Sequence, residues 1–137
     1  MEISKEGSFF NLTMCRSVTS NAERTEVVVK IEKGGEEIHT VIESDSAIGA
    51  LYGALRKGLK NFYPELSSLR LVQYSELHEK DEIRAIAIST DGEKSWSTWS
   101  VSGKDSQARL QAIIGAFEHK LKRKGVEGDG SLLRKLS

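Results

Sequence analysis

Three histidines and one cysteine have the most direct claim to catalysis or metal binding among the 137 residues. His39, His78 and His119 stand far apart, and no H-x-x-x-H or H-E-x-x-H pair sets two of them on one helix face. Spacing therefore offers no zinc site. Cys15 has only Arg16 as a basic neighbour and reads as a small, partly buried side chain rather than an activated thiolate. A single cysteine also excludes an intramolecular disulfide and a multi-cysteine zinc site, and it favours a reducing compartment. G-x-S-x-G, P-loop and G-x-G-x-x-G patterns are all missing. The carboxylates are scattered over turns and helix surfaces. Nothing here supports an enzyme, and no cofactor is expected.

Recognition of a small molecule has a better claim. The stretches Ser44-Asp45-Ser46-Ala47 and Ser102-Gly103-Lys104-Asp105 each stand between a strand pattern and a helix pattern. Backbone N–H groups at a helix N-terminus can hold a carboxylate, although either loop alone reads first as simple N-capping. Trp96 and Trp99 lie three apart on a strand pattern and so point to opposite faces, one to the core and the other to a pocket, a dimer seam or solvent. A basic run, Lys120, Lys122, Arg123 and Lys124, could touch phosphates together with Arg56, Lys57 and Lys60. The plainer reading is a solvated helix end, because no aromatic platform is interleaved.

The elements that must position these residues are legible from periodicity. Ser8 to Met14 is β-prone. In Thr25 to Glu32, Val27, Val29 and Ile31 alternate onto one face; Lys33-Gly34-Gly35-Glu36 makes a tight reversal, and Ile38 to Glu43 completes a hairpin. The period then changes, with Ile48, Leu51, Tyr52, Leu55, Leu59 and Phe62 forming a helical stripe that Ser44, Asp45 or Ser46 caps and Pro64 closes. Ala47, Gly49, Ala50, Gly53, Ala54 and Gly58 make this helix rich in small residues. Its three glycines cost roughly 0.5–1 kcal/mol each against alanine, so a close approach to another element or a ligand must compensate.

The second half repeats the order. Strands are expected at Leu69 to Leu77, Ile83 to Thr90 and Ser95 to Val101, with Asp91-Gly92 as a hairpin turn. Asp105 or Ser106 caps a helix with apolar Leu110, Ile113, Ile114, Phe117 and Leu121, which ends at a basic turn and Gly125. The two stripes coincide when shifted by 62. The expected class is α+β, with two βββα repeats in pseudo-twofold symmetry and antiparallel sheets packed against helices. A doubled unit of this size is expected to form a homodimer.

Composition fits this reading. The chain has 20 basic and 20 acidic residues, with 38% hydrophobic and 29% charged, which suits a soluble globular protein. Zero net charge counts against a nucleic-acid or anionic-membrane partner. No signal peptide is expected in Met1 to Ser8, and no 18-residue apolar run occurs. The expected location is cytoplasmic.

The run Ala50-Leu51-Tyr52-Gly53-Ala54-Leu55-Arg56-Lys57-Gly58-Leu59 and the following Tyr63-Pro64-Glu65-Leu66 resemble the C-terminal regulatory domain of 2-isopropylmalate and citramalate synthases. Asp91-Gly92 and Trp96-Ser97-Thr98-Trp99-Ser100-Val101-Ser102 are similar to that family's D-G…W-x-T-V-G-V-S segment, and Gln107 to Leu121 resembles the helix after it. The resemblance spans about residues 8–124. It implies two βββα units that dimerise and bind the end-product amino acid, leucine or isoleucine, near the loops preceding the helices. It also implies that metal and acyl-CoA chemistry belong to a TIM barrel for which 137 residues leave no room.

The expectation is thus a non-catalytic regulatory-like domain over residues 1–124. Its repeats cover about 8–64 and 67–124, and a flexible tail covers 125–137 with a Leu132-Leu133-Leu136 patch. Its expected partners are a second copy, a small amino-acid effector and a separate synthase catalytic subunit. By motif match, the effector-binding candidates are Ser44, Asp45, Ser46, Ala47, Tyr52, Trp99, Ser100 and Val101. The family's G-x-G-P is replaced by Ser44-Asp45-Ser46-Ala47, and Ser100 and Trp99 replace a glycine and a valine. These changes narrow the approach to backbone N–H groups, and Asp45 would repel a carboxylate, so effector binding is expected to be altered, weakened or lost. The alternative is a dimeric scaffold or nucleic-acid-contacting module that uses the basic end of the second helix.

Overall fold

The computed structural model describes residues 9–20 and 23–123. The elements run β1 (Asn11–Thr19), β2 (Thr25–Lys33), β3 (Glu36–Ser44), α1 (Ala47–Leu59), a short 3-10 helix (Pro64–Ser68), β4 (Arg70–His78), β5 (Ile83–Thr90), β6 (Ser95–Ser102) and α2 (Asp105–Arg123). They form two antiparallel sheets, β1-β2-β3 and β4-β5-β6, each followed by a helix. The class is α+β with two βββα units, as the periodicity predicts. The chain divides into two compact units, the second of them Ser68–Lys120. Gly125 and the leucine patch of the expected tail lie outside the described residues.

In the first unit, Val27, Val29 and Ile31 of the central strand are completely buried, each contributing on the order of 1.5–3 kcal/mol. The β2–β3 turn has Gly34 at φ 61° and Gly35 at φ 84°, the two positive values that a two-residue type I′ turn requires. That turn fixes a register in which Lys33 faces Glu36 and Thr25 faces Ser44. Helix α1 packs on β2 and β3, where its buried small residues Ala50, Ala54 and Gly58 permit a close approach. A Cβ at Gly58 would lie 2.8 Å from Ile31 Cδ1. The cost of glycine in this helix is therefore offset by helix–sheet packing. Thr40 donates its hydroxyl to the Ala54 carbonyl at 2.9 Å, so the buried hydroxyl is satisfied.

Strand β1 continues well past the expected end at Met14. Residues 15–19 are exposed and carry no alternation for a sequence pattern to detect. Ladder pairing from Cys15↔Val29 to Thr19↔Thr25 holds them instead. At the other end of the unit, the Tyr63 hydroxyl donates to the Phe9 carbonyl at 2.6 Å, and the two rings meet edge to face.

The second unit is built on smaller strand residues. Ala85, Ala87 and Ser89 of β5 are fully buried, as are Ala108, Ala112 and Ala116 of α2. Ile83, Ala85, Ala108 and Ala112 pack together, with Tyr74 against them. From β6, Thr98 donates to the Ala112 carbonyl at 2.8 Å and the Trp96 indole to the Ala116 carbonyl at 3.3 Å. Helix α2 opens at Asp105 with an Ala108 N–H bond to the Lys104 carbonyl, so Lys104 occupies the cap position expected for Asp105 or Ser106. Asp105 lies inside the first turn, where a carboxylate complements the helix dipole.

The repeats superimpose in sequence with an offset of 58, not 62. The helices open at Ala47 and Asp105, and the Thr40–Ala54 bond is matched by the Thr98–Ala112 bond. Ala50, Ala54 and Gly58 then correspond to Ala108, Ala112 and Ala116. A slip of four residues is close to one helical turn, so an apolar stripe matches itself almost as well one turn out of register. All five α2 stripe residues are nevertheless buried.

Candidate functional site

The β3–α1 junction is an organised N-cap. Ser46 is extended, with φ −113° and ψ 126°, and its Oγ accepts from the Gly49 N–H at 3.0 Å. The Ser44 Oγ accepts from the Ser46 N–H at 3.3 Å. The corresponding junction in the second repeat uses the same device, the Ser102 Oγ accepting from the Lys104 N–H at 3.1 Å. Both loops therefore present a helix start held by a serine at the strand end. Ala47 is the exposed first residue of α1.

Asp45 is exposed, and Arg24 offsets its charge. The Arg24 guanidinium reaches the Asp45 carboxylate at 2.6 Å and the Glu43 carboxylate at 2.8 Å. These two carboxylates hold the guanidinium pKa above its ordinary value, the Glu43 hydrogen bond foremost. Arg24 thus offsets the Asp45 charge in part, since Glu43 shares the same guanidinium. Arg24 escaped the sequence reading, although the register set by the Gly34-Gly35 turn places it opposite Asp45.

The remaining candidates sit in different surroundings. Tyr52 is buried in the α1 core stripe. Trp99, Ser100 and Val101 lie within β6, in keeping with the strand expected at Ser95 to Val101, where Trp99 pairs with Ile86, Ser100 with Ala85 and Val101 with Arg84. Alternation puts Trp99 and Val101 on one face and Ser100 on the face that bears Trp96 and Thr98. Trp96 is 8% exposed and Trp99 65% exposed, so the two indoles do part as their spacing requires. The Arg84 guanidinium lies 5.6 Å from the centre of the Trp99 ring, within cation–π range. Ser44 to Tyr52 belong to the first unit and Trp99 to Val101 to the second.

Comparison with known proteins decides the relationship. The chain is 33% identical over 111 residues to the (R)-citramalate synthase of Geobacter sulfurreducens, covering 76% of this chain and 21% of that protein. The (R)-citramalate synthase of Aquifex aeolicus is 33% identical over 110 residues, with coverage of 76% and 21%. The chain is homologous to one segment of the (R)-citramalate synthases. That of Streptomyces coelicolor is 31% identical over 128 residues, or 86% of this chain and 24% of that protein. The chain thus spans about a fifth of the length of these synthases, and the rest of each has no counterpart in these residues. No family model matches it.

In this synthase-related segment, Asp91-Gly92 and Trp96 form a structural assembly. Asp91 Oδ1 accepts from the N–H groups of Glu93 and Lys94 at 2.9 and 2.8 Å, while Gly92 takes φ 94°. Asp91 Oδ2 accepts from Lys120 Nζ at 2.6 Å, with both side chains almost wholly enclosed. The Lys120 bond, then the two backbone bonds, hold the Asp91 carboxyl far below the usual carboxylate range. Lys120 is therefore not part of a solvated basic run, which corrects the sequence reading of that helix end. Lys122 and Arg123 remain exposed, and Lys124 lies outside the described residues. His119 stacks on Trp96, with ring centres 4.9 Å apart.

A second network ties α2 to β4. Glu76 accepts from the Arg109 Nε, from the Arg109 Nη2 at 3.2 Å and from the Tyr74 hydroxyl at 2.5 Å, and it meets His78 Nε2 at 2.9 Å. Arg109 is the main cause that lowers the Glu76 carboxyl to about 2. Burial, followed by the Glu76 bond, raises the Tyr74 phenol. Sequence spacing could not reveal this network, because its members come from separate elements.

The candidates for catalysis stay apart. Among the described residues no group of three or more His, Cys, Asp or Glu could hold a metal ion. Cys15 lies on the exposed half of β1, yet partial desolvation by neighbouring atoms raises its thiol pKa, the opposite of what activates a nucleophile. No helix among the described residues is long and apolar enough to cross a membrane.

Proposed function

We propose that this chain is a non-catalytic regulatory domain of the 2-isopropylmalate and citramalate synthase type, which dimerises and binds a branched-chain amino acid. The observation that carries this reading is the homology of most of the chain to about a fifth of the citramalate synthases, joined to the paired βββα architecture. The effector is leucine or isoleucine, and the serine-held loop at Ser44–Ala47 receives its carboxylate against the N–H groups of α1. Arg24 supports that assignment by offsetting Asp45. A homodimer would cover the exposed apolar side chains Val72, Leu77 and Trp99 of the second sheet. Feedback then passes to a synthase catalytic subunit in the reducing cytoplasm.

The test is size-exclusion chromatography with light scattering, followed by thermal shift against leucine, isoleucine, valine and their keto acids. A dimer stabilised by one of these ligands supports the proposal, because a ligand that prefers the native state raises its stability. A monomer indifferent to all of them contradicts it.

A further inference from the structure

Beside α1 the first unit carries a cleft of about 230 Å³ lined by Ile42, Gly53, Arg56, Lys57, Lys60 and Ser67. Gly53, Arg56, Lys57 and Lys60 fall three or four residues apart along one flank of the helix and its end, and Ile42 comes from the edge strand β3. Gly53 adds no side chain to the floor, where a Cβ would lie in ordinary contact with Ile42 Cγ2 at 3.5 Å. Lys57 and Lys60 line this concavity beside Arg56, which has a further interaction of its own, and no carboxylate is among the lining residues.

The second repeat provides an internal control. At the offset of 58, the positions of Arg56, Lys57 and Lys60 are held by Ile114, Gly115 and Glu118. The same βββα unit thus folds with no cation at any of the three, so the charges are not a requirement of the architecture. The helix dipole favours a cation near any helix C-terminus. In α2, however, Lys120 is tied to Asp91 rather than turned to a cavity.

We infer that this cleft binds a small multivalent anion, bearing phosphate groups or clustered carboxylates, at a site separate from the Ser44–Ala47 loop. Lys57 and Lys60 supply the charge, Ser67 a hydroxyl, and Gly53 and Ile42 the floor. Exposed charges of this kind act through a field that salt screens, so binding is strongest at low ionic strength.

The experiment is a two-dimensional 15N–1H titration of the full chain with pyrophosphate and, separately, with citrate, each against sodium chloride at matched ionic strength. Saturable shifts centred on Ile42, Gly53, Lys57, Lys60 and Ser67 are expected from at least one probe. Pyrophosphate alone would identify phosphate as the preferred group, citrate alone carboxylate, and both together multivalent charge as such. Lys57→Gln with Lys60→Gln weakens binding about tenfold or more and leaves the rest of the spectrum unchanged, while Lys57→Arg with Lys60→Arg retains it. Shifts that chloride reproduces, that spread over all lysines, or that survive the Gln pair overturn the proposal. So does binding of duplex RNA where neither small anion binds, which would favour a nucleic-acid surface.

Discussion

Gly58 and Glu76 illustrate how single positions carry this fold. Alanine in place of Gly58 gains helix propensity of up to about 1 kcal/mol, but its methyl meets Ile31 Cδ1 inside a fully buried layer. Close-packed interiors resist such insertion by roughly 1–3 kcal/mol. Gly58→Ala is therefore expected to lower stability by about 1 kcal/mol net in chemical denaturation. Ile31→Val in the same background should recover part of that loss, and additive effects of the two changes would refute the contact. At Glu76 the folded-state carboxyl lies near 2 instead of 4.5, so its contribution is complete above about pH 5 and is lost as pH falls towards 2. With allowance for solvent screening this amounts to roughly 1–2 kcal/mol. Glu76→Gln should flatten the fall in stability between pH 5 and 2; an unchanged slope would show that Arg109 does not hold the carboxylate. At this scale the opposite facing of Trp96 and Trp99 was legible, because strand alternation is a local rule. The burial of Lys120 was not, because its partner lies 29 residues away and a cation in a basic helix end looks solvated.

All six strands and both α-helices are legible from period-two or helical alternation, with one boundary well off, whereas the 3-10 helix at Pro64–Ser68 carries no such period. Strand β1 runs beyond its apolar stretch because ladder bonds to β2, not buried side chains, hold its second half. The repeat offset is ambiguous for a related reason, since an amphipathic helix nearly matches itself after one turn. The turn between β5 and β6 makes its own prediction. Asp91 caps that turn and also anchors α2 through Lys120. Removing one member leaves the other enclosed and unpaired, whereas replacing the pair by apolar groups is often tolerated. Asp91→Ala should lower the melting temperature by ~5–10 °C, and Asp91→Asn with Lys120→Met should recover much of it. Equal losses in both variants would mean that the lost ion pair itself dominates, since asparagine keeps an oxygen to accept the two turn N–H bonds.

For the whole molecule, the doubled βββα plan was legible because it is written twice, and the family followed from short motifs in the right order. The candidate site was less legible. Ser44 to Ala47 form the loop that the sequence suggests, while Trp99, Ser100 and Val101 divide between the two faces of the expected strand, and Arg24 enters only through hairpin register. Membership of α1 in two candidate sites, its start for an amino-acid carboxylate and its basic flank for an anion, predicts that Lys57→Gln with Lys60→Gln leaves amino-acid affinity unchanged within about twofold by calorimetry, since the surface charges act locally. The central claim is tested most directly by isothermal titration of the chain with leucine, isoleucine and valine, alanine serving as control. Saturable binding of one branched-chain amino acid is expected, weakened by Arg24→Gln, which leaves Asp45 without its cation. No saturable heat from any of the three, at several temperatures and at millimolar ligand, would contradict it.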